Sequence, residues 1–185
     1  MKLLLVLAAT LSFAAITLSG NVSTLAALSS KVQPKEVTLG KDAKATGQGS
    51  KSVHFTHEAH ATKPYSIDGK SIIGCAECHH TDQPKAALKG VLKTSEREEV
   101  LTTALLEKAD SKPVKTCREC HAQTDIKPAS WPANPEVTYP DDPDPITMTN
   151  EEAYHRNCNV CHEGVKKRDA ATKAPVTCVQ CHNGK

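Results

Sequence analysis

Aromatic side chains are scarce in this chain, with one Trp, three Tyr and two Phe among 185 residues. Outside the N-terminal apolar run only Phe55, Tyr65, Trp131, Tyr139 and Tyr154 remain. That supply excludes a conventional aromatic-rich core, since a small domain already buries a limited share of its surface. Methionine is limited to Met1 and Met148. Past Leu18 no segment is apolar enough to span a bilayer, which takes about 20 residues. Charge of one sign is also missing. A formal net charge of +2 gives no reason to expect nucleic-acid binding.

What is present is cysteine in a single arrangement. All eight cysteines fall into four copies of Cys-x-x-Cys-His. They are Cys75, Cys78 and His79; Cys117, Cys120 and His121; Cys158, Cys161 and His162; and Cys178, Cys181 and His182. Each copy reads as a covalent attachment site for one c-type haem, with two thiols for the porphyrin vinyl groups and a histidine for the iron. Zinc ribbons also use such pairs, but they do not require His after every second Cys. Histidine is 9 of 185 residues, so four chance hits are expected on the order of once in a hundred thousand. Two-residue spacing is a poor framework for disulfides that must join distant segments. A thioredoxin-like pair would be a single motif in a βαβ context, which is lacking.

Met1-Lys2 followed by the apolar run Leu3 to Leu18 reads as a secretory signal peptide, with a cleavage zone near Ala26 and Ala27. The domain reading is therefore 1–27 signal peptide, 28–52 polar N-terminal segment and 53–185 haem domain. Export to the periplasm suits the chemistry, because bacteria attach c-type haem outside the cytoplasm. About 158 residues then wrap four porphyrins, which supply the apolar mass that the side chains lack. The propionates bring the loaded protein to about −3 when oxidised and about −7 when reduced.

Local patterns add some regular structure. Val37-Thr38-Leu39 and Val53-His54-Phe55 alternate and are expected to pair as a small hairpin. His57 and His60, three apart, share a helical face. Residues 81–93 read as a loop. Ser95 with Glu98 predicts a capping box and a helix from about Glu96 to Ala109. The stretch 129–146, with Pro132, Pro135, Pro140, Pro143 and Pro145, reads as an extended, solvated connection. Asn150 is expected to cap a short helix leading into the third motif.

Five histidines lie outside the motifs: His54, His57, His60, His80 and His155. Four are needed if each iron is to carry histidine on both faces. His54 alternates with Val53 and Phe55 and is expected at the surface. Ligation on both faces leaves no site for a small molecule, so the irons exchange electrons only. Without methionine ligands, which raise reduction potentials, low potentials are expected. Neighbouring ligands such as His79 and His80 bring irons within roughly 10–15 Å.

Three stretches together carry a resemblance. They are Val53-x-Phe55-x-His57-x-x-His60, Cys75-x-x-Cys78-His79-His80, and Tyr154-His155 ahead of the third motif. Over roughly residues 37–182 the chain resembles the class III cytochromes c, the tetrahaem cytochrome c3 family. The resemblance implies a mostly irregular fold with a few short helices and a small β-hairpin, its core formed by four haems. It implies distal ligands His57 for haem 1, His80 for haem 2, His60 for haem 3 and His155 for haem 4. It also implies a non-enzymatic periplasmic carrier in anaerobic respiration, working between a hydrogenase or formate dehydrogenase and membrane-bound cytochrome complexes. The chain departs from many members in using two-residue spacing in every motif, and in the length of the stretch 81–116. A membrane-anchored tetrahaem quinol dehydrogenase and a small multihaem reductase are the competing readings. Lys166, Lys167, Arg168 and Lys173 are read as a basic docking patch for an acidic partner. Mass spectrometry of the mature holoprotein is expected to show a chain shortened by its leader and heavier by four haems. An intact leader would favour the membrane-anchored reading.

Overall fold

The computed structural model describes residues 29–41, 47, 51–123 and 133–184. The leader and residues 129–132 of the proline-rich connection lie outside the described residues. Three separate two-stranded antiparallel ribbons and five helices make up the regular structure there. β1 (Ser29–Ser30) pairs with β4 (Val114–Lys115). β2 (Val37–Leu39) pairs with β3 (Val53–Phe55) as expected, with Val37 opposite Phe55. His54 faces outward between its half-buried neighbours, as its alternation predicts, with Glu36 Oε1 3.7 Å from its Nε2.

α1 (His57–Thr62) follows directly and carries His57 and His60. α2 (Cys75–Cys78) holds the first motif, and a 3-10 turn (Cys117–Glu119) holds the second. α4 (Asn150–Arg168) contains the third, and α5 (Cys178–Cys181) is the fourth. Two of these turns begin with reciprocal capping boxes, Thr116 with Glu119 and Thr177 with Gln180. The residue before the cysteine thus starts the turn, and the residue before the second cysteine closes it.

Three sequence expectations need correction. The helix expected over 96–109 is only α3 (Thr103–Glu107), capped by the Thr102 side chain accepting from the Leu105 amide. Ser95 caps nothing and instead donates to the Gln83 and Arg97 carbonyls. The reason is tertiary. Residues 96–101 run alongside 81–82, with amide bonds from Glu96 to Thr81 O (2.7 Å) and from Leu101 to Asp82 O (2.9 Å). Arg97 pairs there with Asp82 at 2.5 Å, both side chains almost fully buried. Second, the described part of the proline-rich connection is extended and largely exposed as expected, but it is a paired, folded unit rather than a mere connection. β5 (Glu136–Tyr139) and β6 (Asp142–Thr147) form a hairpin with an irregularity between Val137 and Tyr139. Pro143 and Pro145 are tolerated because β6 is an edge strand, where a missing N–H breaks no second ladder. Arg156 of α4 lies over the Tyr139 ring at 4.3 Å and ties the hairpin to the helix. Third, the helix before the third motif is long, and its cap is Thr149, which accepts from the Glu152 amide; Asn150 is its first residue.

Conventional burial is slight. Leu101, Ala122, Met148 and Val165 are the buried apolar residues, and no large side chain is fully enclosed among the described residues. The centre is a cavity of about 2470 Å³ lined by residues of all four motifs and all of the motif-bearing helices. A single small-molecule site is usually about 300–1,000 Å³, so this space suits several large groups.

Long-range ties hold the frame around that space. Arg168, at the end of α4, donates to the Ser66 and Ile67 carbonyls at 3.1 and 2.5 Å. The same guanidinium packs against Gly69, whose φ is +70°. A Cβ at Gly69 would meet that guanidinium, and the left-handed backbone alone costs roughly 1–2 kcal/mol for other residues. Gly69→Ala is therefore expected to destabilise the holoprotein by about 1–2 kcal/mol in denaturant unfolding, with no change in its visible spectrum.

Candidate haem-binding site

The Cys-x-x-Cys spacing does its work on a helical turn. Residues three apart on a helix share a face, so both sulfurs of a motif address one porphyrin edge. In three motifs the following histidine amide donates back to the carbonyl of the first cysteine: His79 to Cys75 (2.9 Å), His121 to Cys117 (2.8 Å) and His182 to Cys178 (2.7 Å). This bond continues the turn and fixes the imidazole beside the sulfurs. His162 gains the same position from the continuous helix α4.

Each motif histidine faces one histidine from elsewhere in the chain. Ring centroids are 6.3 Å apart for His57 and His79 and 6.2 Å for His80 and His121. They are 6.4 Å apart for His60 and His162 and 6.2 Å for His155 and His182. These are the four pairings implied by the resemblance. The separation has a chemical meaning. A metal–imidazole bond is about 2.0–2.1 Å, so two of them in line, plus roughly 1.1 Å from nitrogen to ring centre on each side, give about 6.2–6.4 Å. Direct stacking contacts span a broader range from 4.5 Å, so four values within 0.2 Å of one another match a common group between the rings.

The ring nitrogens away from these gaps are held by the main chain. Nδ1 of His57 bonds Pro34 O (2.9 Å), that of His60 bonds Thr56 O (2.8 Å), and that of His121 bonds Met148 O (2.9 Å). Nδ1 of His162 bonds Pro175 O and that of His182 bonds Lys51 O, each at 2.8 Å. His79 is hydrogen-bonded to the Lys115 backbone. A carbonyl accepts, so His57, His60, His121, His162 and His182 donate from Nδ1 and keep the Nε2 lone pair for a metal. Burial pushes His79, His80 and His162 below the ordinary imidazole range, which favours the neutral, ligating form. Two rings differ. His155 has Glu151 at 4.0 Å, both substantially exposed, and His80 Nδ1 is buried with no partner among the described residues.

All eight cysteines are unpaired with one another, and no described group of three or more His, Cys, Asp or Glu side chains is gathered as a metal site. Burial raises the Cys78 and Cys158 thiols to about 11, so as free thiols they would be protonated and unreactive at neutral pH. The motifs themselves converge. Tyr154, in the helix of motif 3, is hydrogen-bonded to the Cys117 side chain of motif 2. The side chains thus fit covalent haem c with histidine on both faces.

A family model for class III cytochrome c matches residues 33–138, more than half of the chain. The chain belongs to the class III cytochrome c family. No curated protein and no solved structure matches it. As a family member it is a multihaem electron carrier with covalently bound haem c and redox-protein partners. Motifs 1 and 2 lie within the matched stretch; motifs 3 and 4 are joined to it by the pairs His60–His162 and His155–His182.

Two parts of the site carry no sequence signal. The carbonyls of Lys51, Thr56, Pro34, Met148 and Pro175 are backbone groups, and any residue type supplies one. The basic patch expected between motifs 3 and 4 is partly engaged internally, with Lys166 Nζ on Thr172 O at 2.8 Å and Arg168 on Ser66 and Ile67. Thiol labelling of the denatured mature protein is expected to find none of the eight cysteines free, counted by mass spectrometry.

Proposed function

We propose that the chain carries four c-type haems, held by the pairs His57–His79, His80–His121, His60–His162 and His155–His182 as haems 1 to 4. The observation that supports this reading is the common 6.2–6.4 Å separation of the four pairs. When bound, each haem supplies a one-electron couple between ferric and ferrous iron. The chain's own part is to occupy both axial positions, which keeps oxygen and other small ligands off the metal and leaves electron exchange as the activity.

The ligands also set the order of the cluster. His79 and His80 are adjacent and join haems 1 and 2. His57 and His60 sit on one face of α1 and join haems 1 and 3. His155 and His162 are seven residues apart on α4, about 10 Å along the axis and nearly in line, and join haems 3 and 4. The path through the protein is then 2–1–3–4, with one short rigid element behind every step. Histidine ligation and the lack of methionine ligands support low potentials.

On this reading the protein is a periplasmic carrier passing electrons between a hydrogenase or formate dehydrogenase and membrane redox complexes. Among the described residues no helix is long and apolar enough to cross a membrane. The test is removal of one distal ligand. His155→Ala is expected to turn one haem of four high-spin and let it bind carbon monoxide at a quarter of the haem content, the other three staying low-spin. Carbon monoxide binding at full stoichiometry by the unmodified holoprotein would overturn the reading.

A further inference from the structure

The stretch 81–116, long for the family, buries one ion pair beside two of the ligands. Asp82 is 2% exposed. Its Oδ1 accepts from Arg97 Nε at 2.5 Å, and both side chains are more than nine-tenths buried. Arg97 is itself anchored, with Nη2 on Lys112 O at 2.7 Å. Asp82 Oδ2 is buried without a partner among the described residues, and so is His80 Nδ1. The Asp82 amide bonds His79 O at 2.9 Å, which places the carboxylate at the foot of the His79–His80 dipeptide.

We propose that the Asp82 carboxylate, held out of water by Arg97 next to the His79–His80 dipeptide, lowers the reduction potentials of haems 1 and 2 relative to haems 3 and 4. The proposal rests on the axial pairing proposed above. Reduction takes one electron onto iron and removes one positive charge from the haem. A nearby anion held out of water opposes that change, because little solvent screens it. Arg97 holds the carboxylate in place through its Nε at 2.5 Å and partly offsets its charge. His80 is the ring with most to gain, because it lacks the carbonyl acceptor that holds His57, His60, His121, His162 and His182.

A purely structural role makes a different forecast. Asn has the shape of Asp without its charge, and Glu has the charge without the shape. Glu96, paired with Lys115 at 2.9 Å, is a third of the way exposed and offers the same charge deletion nearby in a screened site.

The experiment is an NMR redox titration of holoprotein, which follows the haem methyl signals of each haem separately. Asp82→Asn is expected to favour reduction of haems 1 and 2 by three- to tenfold, tenfold being 59 mV for a one-electron couple. Haems 3 and 4 are expected to move less than twofold. Asp82→Glu should stay near the parent for all four, as should Glu96→Gln. If burying Arg97 alone prevents D82N from folding, the double variant D82N/R97Q removes both charges and is expected to shift haems 1 and 2 in the same direction by a smaller factor. Equal shifts at all four haems, no shift at haems 1 and 2, or a larger effect of D82E than of D82N would overturn the proposal. Low-spin spectra with histidine on both faces separate these failures from failure of the axial pairing itself, which would show as high-spin iron in the parent protein.

Discussion

Everything in this fold answers to the distance between two facing imidazoles. A ring centroid separation of 6.2–6.4 Å, repeated four times, fits a metal between two nitrogens. Holding it requires that each ring be fixed in position and in rotation. The motif histidines are fixed by the helical turn that carries the cysteines. Their partners are fixed by short elements, α1 for His57 and His60 and the turn after α2 for His80, while the long helix α4 fixes His155. Main-chain carbonyls behind the rings set the tautomer, so the nitrogen facing the gap is the one with a free lone pair.

This use of short elements explains how a chain with so few buried apolar side chains holds a definite shape. The packed interior is a cavity bordered by residues from all four motifs, rather than a hydrophobic cluster. The sharing of elements between neighbouring pairs also makes the cluster rigid. Moving α1 disturbs two pairs at once, and so does moving α4. The ties that close the frame are hydrogen bonds over long sequence distances, such as Arg168 to Ser66 and Ile67, and His182 to Lys51.

The extra stretches beside the haem cluster behave differently from the motifs. The segment 81–116 looked like a loop followed by an amphipathic helix, because Ser95, Glu98, Val100, Leu101, Ala104 and Leu105 have the right spacing. The helix survives only over Thr103–Glu107. The competing interaction is the buried pair Asp82–Arg97 with its flanking amide bonds, which needs residues 96–101 extended. A capping box contributes on the order of 1 kcal/mol and cannot outweigh several buried hydrogen bonds. The proline-rich stretch errs the other way. Its prolines read as coil, yet Glu136–Tyr139 and Asp142–Thr147 pair as an edge hairpin fastened to α4 through Arg156 and Tyr139.

The sequence by itself determined the chemistry. Cysteine spacing, the histidine after each pair and the number of spare histidines are local facts, and covalent attachment is a local reaction. It also determined β2–β3, the helical turn bearing His57 and His60, and the outward-facing His54, because alternation and three-residue spacing act within a few residues. Only the tertiary structure decided which backbone carbonyls hold the rings, that Thr149 rather than Asn150 starts α4, and that Asp82 and Arg97 meet out of water. Those outcomes depend on segments distant in sequence arriving together, and a backbone carbonyl or an ion pair formed across a turn leaves no mark in the order of residues.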